Sequence, residues 1–242
     1  MRTLLFLLLA LLPVAPASAD TVTHELVAEE WAEPAATRFV SPTLARVADS
    51  ALAAYGPFRV IDGATAALVD VTDEQSPAAF TAMLRDHPGL VTLAFVECPG
   101  TYDDRANLAL GRMIRAAGLA AWVPEGGSVR SGAVELVLAG VSLRIEDGAE
   151  FAVHAWLDED GYEAGDYAAD SPANRRYLTY YREMGLSAEQ ADAFYAMTNS
   201  VPFEGARWLG GAEMRRWIDG ADGGPRLAYL DLGHLDLSGP VN

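Results

Sequence analysis

Leu90-Val91-Thr92-Leu93-Ala94-Phe95-Val96, followed directly by Glu97-Cys98-Pro99-Gly100-Thr101, is the stretch on which the fold turns. A strand covered on one face alternates apolar with polar residues. An unbroken apolar run is a strand covered on both faces, the habit of parallel sheets flanked by helices. Pro99-Gly100 is turn chemistry, so the segment from Glu97 to Thr101 reads as a tight turn. Asp103 or Asp104 then caps a helix to about Ala117, with Leu108, Met113 and Ile114 on its apolar side and Gly118 at its end. Leu119 to Val123 is the next strand. Strand, helix, strand in this order is a βαβ unit, which closes right-handed in a parallel sheet.

Outward from this unit the pattern continues in both directions. Upstream, Phe58 to Asp62 and Ala66 to Val71 are short β-like runs joined by an Asp62-Gly63 turn, and Ser76-Pro77 opens a helix that His87-Pro88-Gly89 stops near Asp86. Downstream, Gly126-Gly127 is a turn, and Ser131 to Ala139 reads as a short, nearly all-apolar helix stopped by Gly140. A helix apolar all round is a buried one. Leu143 to Ile145 and Phe151 to Val153 follow as strands, with His154 at the end of the second. Asp158 to Asp170 is acidic and without period, a loop or lid. Helices over Pro172 to Met184, Ser187 to Thr198 and Gly211 to Ile218, then a strand over Leu227 to Leu232, complete the chain.

The first residues form a secretory signal. Arg2, an apolar run from Leu4 to Leu12 and the small-residue site Ala17-Ser18-Ala19 predict cleavage before Asp20, and no cysteine stands at the cut for a lipid anchor. A span needs about 20 apolar residues, so this run is too short to be a membrane anchor. The expected organisation is a signal peptide over residues 1–19, an N-terminal arm over 20–57 and one domain over 58–242, with an exported product, periplasmic or secreted.

The full chain carries 17 basic residues, all Arg, against 34 acids, for a net charge of −17. An acidic chain lacks the basic footprint that phosphate contacts require, so nucleic acid is excluded as a partner. The absence of Lys removes Schiff-base and lysine general-base chemistry. Cys98 is the sole cysteine, so no intramolecular disulfide exists, and the four histidines show no zinc-ligand spacing. No cofactor or metal is called for.

Serine hydrolysis needs a hydroxyl, a base for its proton and backbone N–H groups for the oxyanion. Ser131, read at the start of the buried helix and followed by Gly132, can supply the first, and His154 can supply the second. The plain alternatives are that Ser131 is an N-cap and His154 a core histidine. Asp103-Asp104 with Glu97 could form an acid pair but reads better as a helix cap, and Asp158-Glu159-Asp160 reads as a solvated loop. Cys98 has no basic neighbour in sequence to lower its pKa. Tyr177, Tyr180, Tyr181, Phe194 and Tyr195 recur at helical spacing, as core or as a contact surface.

From about Phe58 to Ile218 the chain resembles the Clp-protease/crotonase superfamily, nearest to exported Clp-like proteins. The resemblance rests on Glu97-Cys98-Pro99-Gly100-Thr101, on Ile114-Arg115-Ala116-Ala117-Gly118-Leu119, on Ser131-Gly132-Ala133 through Leu138-Ala139-Gly140, on Val153-His154 and on Trp208-Leu209 through Glu213-Met214. It implies a single-domain α/β spiral of βαβ units, with Ser131 as nucleophile, His154 as general base and the N–H groups of Thr101 and Gly132 as oxyanion hole. Two positions depart from the family pattern. Thr101 stands where the family has a second Gly, and Ala206 falls near the place of the acid that orients the histidine, leaving Glu204 or Asp192 as substitutes.

The expected function is an exported serine hydrolase, a peptidase that works without ATP on a peptide or protein substrate. The alternative is a catalytically inactive Clp-like scaffold, a pseudoenzyme that binds a protein partner in the cell envelope. A crotonase-type acyl-thioester enzyme is disfavoured because coenzyme A is intracellular. Family members assemble into rings, so a homo-oligomer is compatible with the resemblance. An integral membrane protein is not expected.

Overall fold

The computed structural model describes residue 47 and residues 50–219. The segment read as a signal peptide over 1–19, most of the segment read as an arm over 20–57 and the strand expected over Leu227 to Leu232 lie outside the described residues.

Two sheets carry the fold. The first has six strands: β1 (Ala53–Tyr55), β2 (Phe58–Val60), β3 (Thr65–Leu68), β4 (Thr92–Phe95), β6 (Ala120–Val123) and β8 (Leu143–Ile145), in the order β1-β2-β3-β4-β6-β8. β1, β2 and β3 pair antiparallel, and β3, β4, β6 and β8 pair parallel. β1 therefore places part of the stretch read as an arm at the edge of the sheet. Asp62 secures the β2–β3 connection, its Oδ1 accepting from the N–H groups of Ala64 and Thr65 at 2.7 Å each.

The second sheet was not foreseen. It contains β5 (Glu97–Cys98), β7 (Ser128–Arg130), β9 (Glu150–Val153) and β10 (Arg207–Gly210), in the order β10-β9-β7-β5. β5, β7 and β9 pair parallel, and β10 closes antiparallel on β9. The segment read as one tight turn after β4 thus begins with a strand. From β4 onward each strand of the first sheet is followed by one in the second, β4 by β5, β6 by β7 and β8 by β9, before the chain leaves for a helix. Arg130 and Glu97 tie β7 to β5 by a 2.5 Å ion pair.

Helix α1 (Ser76–Asp86) follows β3, α2 (Asp104–Ala116) follows β5, and α3 (Ala133–Leu138) follows β7. Beyond β9 come a short 3-10 turn (Ala164–Asp166), α4 (Pro172–Glu183), α5 (Ala188–Thr198) and, after β10, α6 (Gly211–Asp219). Ser171 and Ser187 cap α4 and α5 through their hydroxyls, and Asp103 caps α2 by accepting from Ala106 N–H at 2.9 Å. The caps satisfy donors that a helix start leaves unpaired. Among the described residues no helix is long and apolar enough to cross a membrane.

From Thr92 to Val96 the apolar run is buried on both sides, while Val91 before it is exposed. Leu93, Phe95, Ala121 and Val123 enter the main core, while Ala94, Val96 and Trp122 form a smaller cluster with Val47 and Ala67 on the other face. Period-2 alternation sends neighbouring side chains to opposite faces, so an unbroken apolar strand needs cover on both. Tyr177, Tyr180, Tyr181 and Phe194 are buried in the main core rather than presented as a contact surface.

Candidate active site

A cleft of about 650 Å³ opens beside the start of α3. Ser131, Gly132, Thr101 and His154 all line it. Two connections bring them there: the parallel β7–β9 pairing sets the end of β7 beside the end of β9, and the turn after β5 folds over both.

Ser131 lies outside the helix to which the sequence reading assigned it. α3 begins at Ala133 with Gly132 as its N-cap, and Ser131 occupies the bend between β7 and the cap. Its φ is +49°, the one positive value at a described non-glycine residue. L-residues pay roughly 1–2 kcal/mol in this conformation, and such strain on a strand-to-helix bend is how a serine is raised out of regular structure. The bend is held on both sides: Ser131 N–H donates to Ala152 O at 2.8 Å, and Ser131 O accepts from Val134 N–H at 3.0 Å. The hydroxyl itself bonds to no described residue.

Two backbone donors flank it. Neither Thr101 N–H nor Gly132 N–H has an acceptor among the described residues, while the neighbouring Tyr102 and Thr72 N–H groups are bonded, to Thr72 O and Gly100 O. A Cβ at Gly132 would fall 2.5 Å from Thr101 Cγ2, so the two residues touch and glycine is the residue the contact admits. Thr101, for its part, forms a parallel bridge with Thr72, the kind of extended backbone that suits a β-branched residue. The unusual backbone of this turn is taken by Gly100, at φ +137°, which lies directly over Ser131.

A buried polar chain holds the pair of donors in place. Thr72 Oγ1 donates to Asn107 Oδ1 at 2.9 Å, and Asn107 Nδ2 donates to Gly132 O at 2.6 Å. Asn107 is 2% exposed on the apolar face of α2. That an asparagine stood on the side of Leu108 and Ile114 was the sequence signal for it.

His154 is half-buried, with Phe203 packed edge-on against its ring at 5.0 Å. Its Nδ1 lies 2.8 Å from Ala155 O. A carbonyl oxygen can only accept, so Nδ1 carries the hydrogen and Nε2 is left with its lone pair, the form a general base requires. Glu204 and Asp192 are both exposed and outside the cleft lining, and Ala206 is exposed before β10.

Glu135, overlooked as the lone charge in an apolar helix, also lines the cleft. It sits one helical turn past Ser131 and is 7% exposed. Tyr181 donates to its Oε1 at 2.8 Å, and Tyr180 donates to its backbone O at 2.7 Å. Burial raises its carboxyl from the ordinary 4.5 to about 7; the Tyr181 bond opposes the rise and the nearby Asp104 charge adds to it. Asp104 accepts from Tyr177 at 2.6 Å. Burial pushes the phenols of Tyr177, Tyr180 and Tyr181 well above their ordinary value, so all three stay protonated donors.

The acidic loop forms another wall and is built rather than loose. Asp158 accepts from the N–H groups of Asp160 and Tyr162 and from the Tyr167 hydroxyl, and Asn174 on α4 donates to Ala164 O and Ala168 O. Tyr167 and Tyr177 both pack on the Trp156 ring. Cys98 is buried, with Sγ against Leu68 O, and burial raises its thiol pKa well above the ordinary value.

No protein-family model matches the chain, and no curated protein does. Among solved structures it is similar to a point variant of ClpP1 from Listeria monocytogenes, with a TM-score of 0.45 and 17% identity, covering 67% of this chain and 95% of that one. It is similar also to a membrane-bound stomatin-specific protease, a variant in complex with a substrate peptide, with a TM-score of 0.38 and 14% identity over 62% of this chain and 71% of that one. A second variant of that protease gives 0.38 and 12%, over 62% and 75%. The class that the fold defines is mixed α/β, built on parallel sheets flanked by helices.

Proposed function

We propose that the protein is an exported serine hydrolase acting on peptides without ATP, with Ser131 as nucleophile and His154 as general base. The observation that carries the reading is the bend at Ser131: a serine at positive φ between a strand and a helix, flanked by the unbonded N–H groups of Thr101 and Gly132. Donors held in place before reaction are what a developing oxyanion needs, and losing one such donor typically costs about 100- to 1,000-fold in kcat.

In this scheme Ser131 Oγ attacks the scissile carbonyl carbon as its proton passes to His154 Nε2, and the carbonyl oxygen becomes an oxyanion between the two N–H groups. The imidazolium gives its proton to the leaving amine. Water, deprotonated by the same nitrogen, then hydrolyses the acyl ester and returns the proton to Ser131. The Ala155 carbonyl does one part of an acid's work, since it fixes the tautomer. It does not supply the negative charge that would stabilise the imidazolium. The hydroxyl and the imidazole are not hydrogen-bonded to each other here, and in free hydrolases such contacts often tighten only when substrate binds.

The test is covalent labelling of the purified protein by a fluorophosphonate. Labelling at Ser131 that disappears in Ser131→Ala and falls sharply in His154→Ala is the expected result. Labelling that survives Ser131→Ala refutes the assignment. A second reading, a catalytically silent module that binds a protein partner, draws on the position of Glu204 and Asp192 away from the cleft. It expects no labelling, and a biological role that survives His154→Ala.

A further inference from the structure

Thr72, between β3 and α1, and Asn107, on α2, are both buried, and neither leaves a side-chain nitrogen or oxygen unpaired. Thr72 straps the turn after β5 through its backbone. Its N–H donates to Gly100 O at 3.0 Å and its O accepts from Tyr102 N–H at 2.8 Å, the two bonds of a parallel bridge centred on Thr101. Along an extended chain successive residues turn their peptide groups to opposite sides. The flanking residues bond toward Thr72, so the Thr101 N–H faces away from it.

The Thr72 side chain reaches the second donor. Its Oγ1, which also lies 3.3 Å from Gly100 O, donates to Asn107 Oδ1 at 2.9 Å, and Asn107 Nδ2 donates to Gly132 O at 2.6 Å. This pairing fixes the orientation of the amide, because the Gly132 carbonyl can only accept and must face the NH2 end. One residue therefore holds both donors, Thr101 through its backbone and Gly132 through the Asn107 amide. Stability alone does not call for such a network. Apolar groups of the same shape can replace a buried hydrogen-bonded pair at little cost, and the face of α2 that carries Asn107 also buries Leu110 and Ile114.

We infer that Thr72 and Asn107 are positioning residues that lock the Thr101 and Gly132 N–H groups into one unit, so that the two oxyanion donors are aligned, and lost, together. The chemistry these donors serve rests on the hydrolase reading, whereas the lock is a property of the fold. Neither Thr72 nor Asn107 lines the cleft, so both act through the backbone they hold. An oxyanion gains from two donors only when both meet it at hydrogen-bond length, and a displacement of about 1 Å can cost roughly 100-fold in rate.

Two measurements on the full-length chain test the lock. The first is fluorophosphonate labelling at Ser131, resolved into a saturating rate and a half-saturating concentration. Thr72→Val is nearly isosteric, keeps the β-branched shape and removes only the hydroxyl. It should lower the saturating rate about 10-fold or more with little change in half-saturation. Asn107→Leu should do the same, the double variant should be no slower than the slower single one, and Thr72→Ser, which restores the hydroxyl, should recover most of the loss. The second is the amide proton–nitrogen NMR spectrum, which needs no activity. Thr72→Val should move the Gly132 resonance as well as that of Thr101, because Asn107 relays the change, and Asn107→Leu should move both. Saturating rates that ignore these variants, additive losses in the double variant, or a Gly132 resonance unmoved by Thr72→Val overturn the inference. An unmutated protein that takes no label while both resonances respond to the variants keeps the lock and removes the hydrolase reading.

Discussion

Replacing Glu135 by Gln should stabilise the protein at alkaline pH and leave it nearly unchanged in mild acid. In the folded chain burial lifts the Glu135 carboxyl from 4.5 to about 7, so the native state binds its proton more tightly than the unfolded state does. The sign follows from that. The stability contributed by this group is fully present below about pH 4.5, is lost as pH rises through 7, and is gone by about pH 8. At 1.36 kcal/mol for each tenfold change in proton affinity, the rise corresponds to roughly 3 kcal/mol, of which about 2–3 kcal/mol falls between pH 5 and pH 8. Gln is close to isosteric, keeps an oxygen to accept from the Tyr181 hydroxyl, and does not titrate. Urea unfolding of both proteins at pH 5 and pH 8 isolates the effect, because titrations elsewhere are common to the two and cancel in the difference. The expected outcome is a Gln variant within ~1 kcal/mol of its parent at pH 5 and ahead by about 2–3 kcal/mol more at pH 8. A difference that is the same at both pH values would refute the reasoning, because it would mean that the buried carboxyl does not hold its proton.

The left-handed backbone at Ser131 predicts that Ser131→Gly is more stable than Ser131→Ala by about 1 kcal/mol, since only glycine is relieved of the Cβ penalty there; equal melting temperatures would count against strain at the bend. Gly111→Ala would set a Cβ 2.0 Å from the Tyr180 hydroxyl that bonds Glu135 O, so a loss of about 1–3 kcal/mol is expected in denaturant melts. Cys98, fully buried with its thiol pKa raised, should resist maleimide in the native protein and react at once in guanidinium; fast labelling of the folded chain would contradict the core described above.

Local pattern made much of the first sheet legible. Leu93–Phe95 and Ala120–Val123 are apolar without interruption, and a helix with recognisable caps lies between them, so the parallel pairing of their strands follows from connection length and handedness. The helices α1, α4 and α5 were readable for the same reason: Ser76-Pro77, Ser171-Pro172 and Ser187 mark their starts by chemistry that acts within one turn. The second sheet was not legible. β5 is two residues long and β7 three, too short for any period, and they are strands because β4 and β6 deliver them side by side.

The same division runs through the candidate site. The chain by itself determined the residue types available, a serine followed by glycine, a histidine 23 residues on, and no lysine anywhere. What those residues can do depends on partners distant along the chain. Whether the Thr101 and Gly132 N–H groups stay unbonded is decided by where Thr72 pairs and by Asn107 reaching Gly132 across 25 residues. Glu135 acquires its raised pKa from the core closed around it, against the opposing hydrogen bond from Tyr181, 46 residues away. Hydrophobic period and capping are properties of neighbours in sequence, whereas desolvation and the pairing of a polar group depend on everything that surrounds it. That is why the sequence could name the serine, and only the tertiary structure could show the bend on which it sits.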